Sequence, residues 1–107
     1  TDLASILYEY GTLLCEDGEL EDALPLLEEA LRTQKSIKGL KDARVANILL
    51  KIAEVHVEGE RFDSSLVSLE QVILIAGSVD DSDDIDLSTC QYLLGVTYIA
   101  RENFEKA

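Results

Sequence analysis

Apolar side chains recur every three or four positions over Leu3, Ile6, Leu7, Tyr10 and Leu14, stop at Glu16-Asp17-Gly18-Glu19, and resume over Leu20, Ala23, Leu27, Ala30 and Leu31. That spacing puts each set on one face of an α-helix, and the glycine in the polar stretch marks a tight turn. Two antiparallel helices are predicted. The pattern then returns: Leu20 and Phe62 are 42 residues apart, as are Phe62 and Phe104, and these residues open the stretches LEDA, FDSS and FEKA. With the same offset, Asp2-Leu3-Ala4 falls on Arg44-Val45-Ala46 and Asp86-Leu87-Ser88, and Tyr10-Gly11 on Ile52-Ala53 and Leu94-Gly95. Leu14 answers to His56 and Tyr98, while Leu27, Ala30 and Leu31 answer to Leu69, Val72 and Ile73. So regular an offset indicates stacked helical units.

Turns between paired helices are predicted at Glu16 to Glu19, at Glu58-Gly59-Glu60-Arg61 and at Arg101-Glu102-Asn103, so that FEKA begins a further helix. Lys38-Gly39-Leu40-Lys41-Asp42 reads as a helix end and linker, and Gly77 to Asp86 as its longer, acidic and solvated counterpart. The small residue at Gly11, Ala53 and Gly95 lets paired helices approach closely. Pro25, about one turn into a helix, removes a backbone donor and reads as structural.

Several of these residues together resemble the tetratricopeptide repeat. Tyr10-Gly11 and Leu14, followed by Ala23, Leu27 and Ala30, stand at that family's spacing, although its common form has about 34 residues. The longer unit resembles the repeats of kinesin light chain. Ala23-Leu24-Pro25-Leu26 is similar to their second helix and Val45-Ala46 to the end of their linkers, whereas Asp42-Ala43 stands where they carry His-Pro. The resemblance implies an all-α solenoid over 1–107 with about two and a half repeats: about 2–43, about 44–85 and a partial unit from about 86 to 107. It also implies a protein-interaction scaffold, non-enzymatic and without cofactor, whose concave wall is lined by the first helix of each unit.

Carrying the family's groove positions across gives Ser5, Tyr8, Glu9, Thr12, Cys15 and Glu16 in the first unit. The second gives Asn47, Leu50, Lys51, Glu54, Val57 and Glu58, and the third Thr89, Tyr92, Leu93, Val96, Ile99 and Ala100. Such a groove is acidic at one end and greasy at the other, which fits a basic peptide or helical segment with an apolar anchor. Two plainer readings stay open: the acids form a solvated face, and the greasy end is covered by a further helix. The clamp with which the family's chaperone-tail binders hold a carboxylate is absent apart from Lys51, and the acidic groove argues against tryptophan-acidic motifs. A structural spacer, a self-association module and the regulatory arm of a larger enzyme are the alternative functions.

Composition narrows the partners. Twenty-two acids against nine bases give a net charge of −13, which repels phosphate backbones and anionic lipids, so neither nucleic acid nor membrane is expected. Six glycines and one proline among 107 residues, 47% of them hydrophobic, suit one helical core. The chain has neither a starting methionine nor a leader, so it reads as part of a longer protein. Cys15 and Cys90, on helices roughly 20 Å apart if neighbours pack at about 10 Å, suit a reducing compartment, the cytoplasm, and not a disulfide.

Little is available for catalysis or metal binding. The lone His56 falls at a helix-packing position, and Asp80, Asp81, Asp83, Asp84 and Asp86 lack the central glycine and twelfth-place glutamate of a calcium loop. Asp86 or Ser88 is the expected cap of the third unit's first helix. Without its second helix that unit leaves Leu94, Gly95 and Tyr98 uncovered, so a neighbouring copy is expected to cover them as a homodimer.

Overall fold

The computed structural model describes residues 2–80 and 82–106, with side-chain surroundings through residue 103; Asp81 and the side chains of FEKA lie outside the described residues. Five helices follow one another: α1 (Leu3–Glu16), α2 (Leu20–Lys38), α3 (Ala43–Glu58), α4 (Phe62–Ala76) and α5 (Leu87–Lys106), with a short 3-10 turn at Ser82–Asp84. There is no strand among the described residues, and the antiparallel pairs α1/α2 and α3/α4, followed by α5, form the expected all-α solenoid.

Aspartates start the odd-numbered helices. Asp2 accepts from the Ser5 amide (2.8 Å), Asp42 from Val45 (3.3 Å) and Asp86 from Thr89 (3.1 Å), each satisfying an amide that the first turn leaves without a helical partner. Asp86, one of the two expected caps, is the one that forms. α1 ends in a glycine cap: Gly18 adopts φ 80°, its amide bonds to Cys15 O (3.0 Å), and the Glu19 amide bonds to Leu14 O (2.8 Å). α3 ends in the same way, with Glu60 to Val57 (3.0 Å) and Arg61 to His56 (2.8 Å). Here, however, Glu60 takes the left-handed conformation at φ 60°, and Gly59, one residue earlier, needs no such freedom at φ −87°. A side chain in that region costs about 1–2 kcal/mol. Glu60→Gly is therefore expected to stabilise the chain by about 0.5–1 kcal/mol after the added unfolded-state entropy is deducted, read as a rise in the urea midpoint; a fall would show that Glu60 is not strained.

The third predicted turn is absent. Arg101, Glu102 and Asn103 are helical, and α5 runs on through Lys106. These positions answer to Asp17-Gly18 and Gly59-Glu60 but hold no glycine, and arginine and glutamate are good helix formers. Arg101 is also held as a rung of α5 against α4 by its ion pair with Asp63 (3.2 Å).

Two clusters share α3. Leu27, Ala30, Ile48, Ile52 and Val55 join α2 to α3, backed by Leu7, Tyr8 and Cys15 of α1. Val45, Leu49 and Leu50 with Leu69 and Val72 of α4, Ile85, and Cys90 and Leu93 of α5 form the other. Ser65 and Thr97, both wholly buried, place their hydroxyl oxygens 3.3 Å apart between α4 and α5. In α1 the expected face is only partly internal: Ala4 and Gly11 are buried, whereas Leu3, Ile6 and Tyr10 are half exposed. Their counterparts Val45, Ile48 and Ile52 are buried because α2 and α4 pack on α3; no described element lies over those positions of α1.

The helices close on one another where small residues allow it. A Cβ on Gly11 would lie 2.9 Å from Cγ and Cδ2 of Leu27, so α1 and α2 meet there. Ala53 is fully buried, but Gly95 has nothing within 4 Å of its would-be Cβ. The described residues of the acidic linker 77–86 are largely exposed, as expected, except that Ile85 turns into the core and Val79 packs against it. Pro25 lies inside α2 on its exposed side.

Candidate functional site

Helices α1, α3 and α5 lie side by side, with the Ser82–Asp84 turn against α3, and two hollows open along them. The first, about 450 Å³, is lined by Ser5, Tyr8 and Glu9 from α1 and by Arg44, Asn47, Leu50, Lys51 and Glu54 from α3, with Asp84 and Asp86 closing its far side. The second, about 390 Å³, lies between α3 and α5 and is lined by Glu54, Val57, Glu58, Thr89, Tyr92, Leu93 and Val96. Glu54 borders both hollows, so they adjoin. A shallower hollow holds Thr12 beside Tyr8, Glu9 and Leu13.

Most residues expected in a groove thus come together along one wall. Cys15, Glu16, Ile99 and Ala100 line none of these hollows. Leu50 and Leu93 are 4% and 5% exposed and form the floor, leaving Tyr92, 70% exposed, as the large side chain open to a ligand at the greasy end.

Charge along the wall is partly neutralised. Lys51 Nζ lies 3.0 Å from Glu54 Oε2 in a partly buried pair. Burial works against the ammonium, but the hydrogen bond and charge of Glu54 outweigh it and hold the Lys51 pKa above its usual value. Arg44 reaches Asp2 (2.8 Å), which, with the Ser5 amide as the larger cause, holds the Asp2 carboxyl down at about 2. Glu9, Glu58 and Asp84 make no ion pair among the described residues. The lining is acidic on balance. Thr12 Oγ1 is buried without a hydrogen-bond partner among those residues.

Arg44, Asp84 and Asp86 were not foreseen as lining residues. The signal for Arg44 was its register: it stands 42 residues after Asp2, the acid it now pairs with. The acidic linker reaches the wall through Asn47, whose Nδ2 donates to Asp84 O (2.9 Å) and whose Oδ1 accepts from the Asp86 amide (3.2 Å). Nothing in the local sequence marks that contact, because it spans 37 to 39 residues.

No reactive centre forms from the remaining candidates. Burial raises the pKa of both free thiols, Cys15 and Cys90, away from the reactive thiolate. His56 is half-buried and its Nδ1 accepts from Arg61 Nε (3.1 Å). Burial first, then the charge of Arg61, lowers its pKa and favours the neutral ring. Among the described residues no cluster of histidine, cysteine or acidic side chains could hold a metal ion, and no helix is long and apolar enough to cross a membrane.

A family model described as Tetratricopeptide repeat matches residues 2–76. Comparison with curated proteins and with solved structures returned no match.

Proposed function

Because the chain belongs to the tetratricopeptide repeat family, whose repeats are protein-interaction scaffolds, we propose that it holds a partner's peptide or helical segment along α1, α3 and α5. The reading rests on one observation: unpaired Glu9 and Glu58 and the Lys51-bound Glu54 line adjoining hollows, the second of which holds exposed Tyr92 beside Val96. A ligand with basic residues and an apolar anchor complements that order. On this reading the protein supplies a surface and no chemistry of its own, and its two unpaired cysteines suit the cytoplasm.

We read the units as the longer, kinesin light chain-like form. The onsets of α2 and α4, 42 residues apart, support this, while those of α1, α3 and α5, at residues 3, 43 and 87, show that the linkers absorb small shifts.

The test compares proteins captured from lysate by the chain and by its Glu9→Lys/Glu54→Lys/Tyr92→Ala variant, matched for helicity by circular dichroism. Selective loss of partners from the variant, by about tenfold or more, is expected, since charge complementarity and an aromatic anchor both go. An unchanged set would sink the groove and favour self-association. Half-buried Leu94, open Gly95 and the exposed Tyr98 and Ile99 on α5 offer a surface for that second reading.

A further inference from the structure

On the opposite side of α3 the charge is reversed. Arg32, Lys35, Lys38 and Lys41 are four of the nine bases of the chain, and no acid falls between Glu29 and Asp42. Arg32 pairs with Glu29, but the three lysines make no ion pair among the described residues. Lys35 and Lys38 complement the C-terminal end of α2, which accounts for their presence but leaves their ammonium groups available. Lys41 lies beyond the helix, where no such account applies. Asp42, the acid next in sequence, is occupied: its carboxylate caps α3 and accepts from Gln34 Nε2 at 2.9 Å.

Beside these lysines lies a hollow of about 580 Å³, within the range of about 300–1,000 Å³ that holds ligands. Val45, Leu49 and Ile75, all buried, form its floor, and Leu40 and Leu74, 63% and 73% exposed, form its walls. Lys35 and Lys41 stand on its rim. At 3.6 residues per turn, Val45 and Leu49 face nearly opposite to Asn47, Lys51 and Glu54, so this hollow and the acidic wall occupy different sides of α3.

We propose that the hollow between α2, α3 and α4 is a second peptide-docking site, and that its occupant is a partner segment carrying carboxylates on either side of a leucine-sized apolar side chain. The apolar group enters between Leu40 and Leu74, and its flanking acids meet Lys35 and Lys41. A chain of net charge −13 repels such a segment at long range, so recognition depends on this local cluster. The site makes the protein two-sided, with opposite charge preferences on its two faces.

The probe is a fluorescein-labelled peptide, Glu-Glu-Leu-Glu-Asp-Leu-Glu-Glu, titrated into the chain by anisotropy and into ¹⁵N-labelled chain by NMR. Two further peptides replace both leucines by alanine or all acids by lysine. The acidic leucine peptide is expected to shift the amides of Leu40, Leu49 and Leu74. Its affinity should fall about tenfold in Lys35→Glu/Lys41→Glu and fall less in Lys35→Gln/Lys41→Gln. The alanine peptide should bind at least tenfold more weakly. Absence of shifts at millimolar peptide, shifts confined to the acidic wall, or full affinity in both lysine variants would overturn the proposal. Failure of the lysine peptide to reach the acidic wall would count only against the first groove.

Discussion

Leu27→Ala is expected to lower stability by about 3–4 kcal/mol and the melting temperature by about 15 °C, measured by urea and thermal unfolding. Leu27 has no exposed surface and packs with Ala30, Ile48, Ile52 and Val55 where α2 meets α3, while its Cγ and Cδ2 face Gly11 of α1. Truncation removes contacts to α1 and α3 at once. A cavity there cannot collapse without moving α1 and α3 together, which places the cost in the upper part of the range for leucine-to-alanine changes. Leu74→Ala, at a side chain 73% exposed, is the matched control and should change stability by less than about 0.5 kcal/mol. A loss below about 1 kcal/mol at Leu27 would mean that α1 and α3 do close over it and that the layers are not rigid.

The difference between these two leucines is only half legible in the sequence. Helical spacing identified the odd and even helices and both glycine-bearing turns, because a 3.6-residue period and a glycine after it are local signals. Spacing does not say which neighbour covers an apolar face. Leu3, Ile6 and Tyr10 follow the same period as Val45, Ile48 and Ile52, yet only the second set is buried, since burial is decided by elements distant in the chain. For the same reason Leu50 and Leu93 were placed as groove contacts and prove to be its floor. The repeat register carried Arg101-Glu102-Asn103 as a turn, but register transfers a position and not its surroundings: here good helix formers continue the helix and Arg101 pairs with Asp63 of α4. On the acidic wall, the α1 and α3 positions other than Arg44 followed from the family resemblance, whereas Asp84 and Asp86 came through the Asn47 bridge, which no short-range pattern encodes.

Gly11 and Gly95 occupy equivalent positions and should respond in opposite directions. At Gly11 even one added carbon comes within 2.9 Å of two carbons of the wholly buried Leu27, so Gly11→Val overpacks the α1/α2 contact. The expected loss is about 2–3 kcal/mol. At Gly95 an added carbon meets nothing within 4 Å, leaving only the poor helix propensity of glycine; Gly95→Ala should gain about 1 kcal/mol. The double variant Gly11→Val/Leu27→Ala separates steric conflict from β-branched propensity. If overlap with Leu27 is the cause, shortening it makes room for the valine, and the double variant loses less than the sum of the two single changes by about 1 kcal/mol or more. Additive losses in urea unfolding would instead show that valine disturbs α1 on its own, and that close approach of the paired helices is not what requires glycine there.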